Sequence, residues 1–93
     1  MEKTQEAVIT VVGKDTVGII ARVCTCLAGH GVNILDISQT IVHGYFNMMM
    51  VVDISGMDLS FAGLKEELDR TGEQIGVEIH CQKEEIFTKM HRI

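Results

Sequence analysis

Two short segments carry the binding chemistry of this sequence: the turn Gly13-Lys14-Asp15-Thr16-Val17-Gly18 and the run Gly31-Val32-Asn33-Ile34. The turn leads into a helical pattern, and the exposed N–H groups at a helix start favour a carboxylate. Asp15 can accept from an ammonium, and a glycine at Gly18 lets a backbone approach closely. Those are complementary handles for an amino acid. The same residues also serve structure alone: Asp15 or Thr16 can cap the helix, Gly18 can avoid a clash, and Asn33 can close a turn. Residue chemistry leaves both open.

Other candidate sites are weaker. Cys24 and Cys26 form a Cys-x-Cys, but two positions along a helix turn the chain by about 200°, so their thiolates point to opposite sides and cannot close on one ion. Cys24 is expected to fill core and Cys26 to lie near the other surface. His30, His43, His80 and His91 show no His-x-x-x-His or Glu-x-x-His spacing, so no metal site is expected. There is no Gly-x-Ser-x-Gly, no Walker loop and no Gly-x-Gly-x-x-Gly, and the turn offers only Lys14 beside Asp15 where a phosphate would want arginine. Neither an enzyme nor a cofactor is expected.

The elements that must position the two segments follow from hydrophobic period. Glu6 to Val12 alternates as a strand ending at Gly13, with Ala7, Ile9 and Val11 on one side and Val8, Thr10 and Val12 on the other. From Gly18 the period becomes helical, with Ile20, Val23, Cys24 and Leu27 as the stripe and Gly29-His30-Gly31 as the left-handed stop. Asn33 to His43 and Tyr45 to Ser55 flank Gly44 as a hairpin, whose second strand turns Phe46, Met48, Met50, Val52 and Ile54 to the core. Asp58 or Ser60 caps a second helix with stripe Phe61, Leu64, Leu68 and Ile75, fraying at Gly72 and Gly76. Val77 to Gln82 is a last strand.

The order is strand, helix, strand, strand, helix, strand. This predicts an α+β, ferredoxin-like βαββαβ fold: a four-stranded antiparallel sheet with two helices on one face. Strands one and three lie in the middle, and strand two forms an exposed edge. Ile86, Phe87, Met90 and Ile93 suit a short C-terminal amphipathic helix that covers the open sheet face or grips a partner. The chain thus divides into a lead (1–5), one domain (6–82) and a tail (83–93).

Composition agrees with a single domain. Ninety-three residues hold one core, and Leu, Ile, Val and Phe make about 31% of the chain, too much for disorder. The net charge of −5 argues against a grip on nucleic acid. Much of that acidity sits between Asp53 and Glu73, as a solvated helix face. No apolar run reaches the roughly 20 residues that cross a bilayer, and Met1 to Glu6 lacks the apolar core of a signal peptide. Three cysteines are too few for a disulfide scaffold. Cytoplasmic location follows as an expectation, with no membrane partner.

Lys14-Asp-Thr-Val-Gly-Ile-Ile-Ala, Leu27 and Gly31-Val-Asn-Ile, in this order of elements, resemble an ACT domain over residues 6 to 82. The tail Glu84-Glu-Ile-Phe-Thr-Lys-Met-His-Arg-Ile resembles that of stand-alone ACT proteins related to the glycine-cleavage repressor group. The resemblance implies a homodimeric or larger regulatory protein that binds an amino acid between subunits. By position it implicates Asp15, Gly18, Ile19, Asn33 and Ile34. Many members carry proline where this chain has Val17. Without a fused catalytic domain, regulation acts in trans on a partner protein. The alternative is a ligand-free dimer that binds another protein through its open sheet or tail.

Overall fold

The computed structural model describes residues 5–14 and 18–83. Six elements follow in the expected order: β1 (Glu6–Lys14), α1 (Ile19–Gly29), β2 (Asn33–Val42), β3 (Tyr45–Asp53), α2 (Phe61–Ile75) and β4 (Val77–Lys83). They form a four-stranded sheet in the order β2-β3-β1-β4 with every neighbour antiparallel, the ferredoxin-like arrangement. Asp15 and the expected tail helix lie outside the described residues.

The core is the inward alternation of the strands closed by one stripe from each helix. Ala7, Ile9 and Val11 of β1, Phe46, Met48, Met50 and Val52 of β3, and Val77, Ile79 and Cys81 of β4 are buried together with Ile54. From α1 the buried residues are Ile19, Val23 and Leu27, so Ile20, expected on this stripe, stands 37% exposed. Both isoleucines are at helical spacing from Val23. The helix begins at Ile19, and its rotation aligns the i, i+4, i+8 set with the sheet. Cys24 and Cys26 flank that stripe and are both half-buried, so Cys24 is not fully in the core as expected.

The ends of the elements are set by specific backbone geometry. Gly18 itself is the N-cap of α1, with φ 91° and no side-chain cap, and its carbonyl accepts from Arg22 N–H at 2.9 Å. A Cβ there would meet nothing within 4 Å, so among the described residues no clash calls for glycine, and the positive φ does. At the other end Gly31 N–H donates to Ala28 O (3.2 Å) and Val32 N–H to Leu27 O (3.0 Å), with Gly31 at φ 78°, a Schellman motif with Val32 and Leu27 both buried. The hairpin turns through His43 (φ 52°) and Gly44 (φ 80°), two residues rather than one, as a type I′ turn requires. Ser60 caps α2 by accepting from Gly63 N–H at 3.0 Å.

Gly72 is not a fraying end. It is buried inside α2, where an added Cβ would sit 2.6 Å from the carbonyl oxygen of Val77. The absent side chain lets α2 settle onto the start of β4. Replacing it moves backbone, so Gly72→Ala is expected to lower unfolding stability by about 1 to 3 kcal/mol, where an exposed helical glycine gains from the same change. Chemical denaturation of the two proteins measures the difference.

Cys81 is 4% exposed, and burial pushes its thiol up from about 9 to about 11, against a small opposing pull from Lys65. The unfolded chain therefore loses this proton first, and stability falls as pH rises from 9 towards 11. Alkylation of the native protein at pH 8 is expected to modify the half-buried Cys24 and Cys26 while Cys81 reacts only on unfolding. Peptide mass mapping distinguishes the three.

Candidate functional site

The four described residues implicated in binding, Gly18, Ile19, Asn33 and Ile34, fall into two groups at opposite ends of the sheet. Lys14, the last residue of β1, pairs with Tyr45, which pairs with Val42 at the end of β2. Gly18 and Ile19 come four and five positions after Lys14, at the start of α1. Asn33, the first residue of β2, pairs with Asp53, which pairs with Glu6 at the start of β1. Eight residue steps separate these two rungs, about 27 Å along a strand. One chain therefore keeps the halves of the site apart.

Each half has its own character. Ile19 is 2% exposed in the core, so its side chain is closed to a ligand and only its backbone can take part. The N–H groups of the first turn of α1 have no acceptor within the helix. At the far end Asn33 is exposed and Ile34 is partly buried against the core. Asp53, opposite Asn33, accepts from both the N–H (3.0 Å) and hydroxyl (2.7 Å) of Ser55. These bonds hold its carboxyl below the ordinary carboxylate value, so an anion stands beside Asn33.

Among the described residues, the strand that carries Asn33 is bonded on one side only. β2 lies at the sheet margin, and nine of its ten residues are exposed. Ile37 pairs with Met50 and Ile41 with Phe46, so both share the helix-side face, yet they remain 40% and 57% exposed. On the opposite face Val12, Tyr45, Met49 and Val42 are also exposed, while Val8 is buried.

A different cluster lies between the helices. His30, at the end of α1, receives the loop before α2 twice: Asp58 N–H donates to its carbonyl at 3.0 Å, and its Nδ1 lies 3.0 Å from Asp58 Oδ1. A carboxylate only accepts, so Nδ1 carries the proton and Nε2 presents its other side to Glu67, 4.0 Å from Oε1. The ligand atoms of Cys26, His30 and Glu67 lie within 4.8 Å of one another. They line a cleft of about 390 Å³ that also includes Arg22, Thr25, Thr71 and Gln74. Spacing rules for histidine pairs passed over this group because its helical pair is mixed: Cys26-x-x-x-His30 stands at i, i+4. Glu67 comes from α2, which only the fold could bring alongside.

Comparison with known proteins fits this architecture. The family profile described as ACT domain matches residues 5–82. A UPF0237 protein of Bifidobacterium longum is 65% identical over 88 residues, covering 95% of this chain and 98% of that protein. Among solved structures, an ACT domain protein from Streptococcus pneumoniae superposes with a TM-score of 0.80 at 44% identity, covering 91% of this chain and 96% of that one. A putative glycine cleavage system transcriptional repressor superposes with a TM-score of 0.75 at 26% identity, covering 88% of this chain and 47% of that one. With a family profile over most of its length, this chain belongs to the ACT domain family, a family typically of small-molecule-binding regulatory modules.

Proposed function

We propose that the protein is a homodimeric sensor of a small molecule, an amino acid by its chemistry, that acts in trans on a partner protein. Two copies pair antiparallel along β2, and the ligand lies where the turn before α1 of one copy faces the start of β2 of the other. The observation that carries this is the opposite placement of the two half-sites. A two-fold antiparallel pairing of edge strands sets the start of one β2 against the end of its partner's β2, the end at which the partner's turn emerges. The exposed Ile37 and Ile41 support that pairing, since a second copy gives them apolar cover.

In this arrangement the first-turn amides at Gly18 and Ile19 take the ligand carboxylate, Asp15 takes the ammonium, and Asn33 and Ile34 close the pocket from the other subunit. Ligand bound between subunits favours one dimer arrangement by its differential affinity, and the partner protein responds to that arrangement. No enzyme activity is required. Free thiols at all three cysteines favour a reducing cytoplasm as the place of action. A second reading rests on the open sheet face, where Val12, Tyr45 and Met49 stay exposed. There the dimer binds another protein and no small ligand.

Calorimetric titration of the full chain with each of the twenty amino acids separates the two. The sensor gives heat and a raised melting midpoint with a subset of them, and Asn33→Ala weakens that binding roughly ten- to a hundredfold, as loss of a bond to a charged group of about 1.5 to 3 kcal/mol implies. The double variant Ile37→Lys/Ile41→Lys is expected to be a folded monomer by light scattering and to bind nothing. Heat that survives in that monomer rejects the intersubunit pocket. Absence of heat with every amino acid leaves the protein-binding dimer.

A further inference from the structure

We propose that Cys26, His30 and Glu67 form a site for one divalent transition-metal ion of the zinc type, held between α1 and α2. The three side chains supply a thiolate sulfur, an imidazole nitrogen and a carboxylate oxygen. That mixture suits zinc, and its sulfur selects against magnesium and calcium. Cys26 and His30 stand one helical turn apart on the flank of α1 that faces α2, and Glu67 reaches across from α2.

Two neighbouring bonds organise these groups before any ion arrives. Asp58 holds Nδ1–H of His30, which fixes the ring and leaves Nε2 to ligate; a carboxylate behind a histidine is the common support of a metal-bound imidazole. Arg70 Nη1 lies 3.0 Å from Glu67 Oε2, which leaves Oε1 as the oxygen nearer His30. Ligand atoms around a tetrahedral zinc stand about 3.3 to 3.6 Å apart, so the cluster must close by roughly 1 Å from its present 4.8 Å limit. Cys26 and Glu67 are both only partly buried and can turn to do so.

Charge is compatible with occupancy. The Cys26 thiolate and the Glu67 carboxylate neutralise a divalent ion, and the thiol proton leaves to solvent as the bond to sulfur forms. Asp58 adds a negative charge behind the ring. One cation, Arg22, lines the cleft and donates to Gln74 Oε1, and a second, Arg70, is paired with Glu67. Three protein ligands leave a fourth position open towards the cleft, where Thr25, Thr71 and Gln74 can meet a water or a small anionic ligand on the metal.

Cobalt(II) titration of the full chain, reduced and freed of metal by dialysis against chelator, tests this. One equivalent per chain is expected, with the near-ultraviolet charge-transfer band of a cobalt–thiolate bond, displaced on adding zinc. Cys26→Ser removes the band, His30→Gln and Glu67→Gln each weaken binding at least tenfold, and Asp58→Asn weakens it about ten- to a hundredfold. Cys24→Ser leaves the titration unchanged. Circular dichroism of each metal-free variant shows that the fold persists. The proposal is overturned by a band that survives in Cys26→Ser, by saturation at half an equivalent, which places the ion between two chains, or by the absence of any thiolate band.

Discussion

An antiparallel sheet leaves each outermost strand with one row of backbone groups unpaired within the sheet; here those strands are β2 and β4, and among the described residues β2 is the one whose inward side chains also stay exposed. The consequence is larger than an open edge. The two helices fill the inward side of β1, β3 and β4, where alternate residues are buried, while Ile37 and Ile41 on the same side of β2 remain in water. A single copy has therefore built three-quarters of a layer. Both the backbone and the side chains of β2 ask for the same neighbour, and exposed edges of this length are ordinarily paired or shielded.

Direction along the strands sets the second constraint. Because β1 and β2 are both antiparallel to β3, they run the same way, and α1 carries the chain back from the end of one to the start of the next. Gly18 at the start of α1 and the first residues of β2 are thus held apart by the length of that helix, with the Schellman motif at Leu27 to Val32 fixing its far end and the one-to-one ladder between β1 and β3 fixing Lys14. Under the proposed pairing, a pocket that uses both is completed by a second copy of the chain.

Much of this was legible in the residues. Period two in Phe46 to Ile54 gave the buried face of β3 correctly, because each outward neighbour is either polar or tolerates exposure. Period 3.6 was less decisive in α1, where Ile19 and Ile20 both fit the stripe and only docking on the sheet chooses between them. Glycine was misjudged where its reason is tertiary. Gly72 reads as a fraying end, but it is a contact surface for Val77. The assembly of Cys26 and His30 with Glu67 lay beyond local spacing, since 37 residues separate His30 from its carboxylate neighbour on α2.

The connection from α1 to β2 is where these constraints meet. Gly31 has no room for a side chain, because a Cβ would stand 2.9 Å from the carbonyl oxygen of Gly56, and that approach brings the loop before α2 within reach of His30. His30 thereby touches both helices, and Asn33 follows it by only three residues, at the first rung of the exposed strand. An ion between the helices and a ligand at the strand's start would each bear on the same few backbone angles. Under both proposals, coupling between them is set by how differently each binds to alternative settings of that short connection.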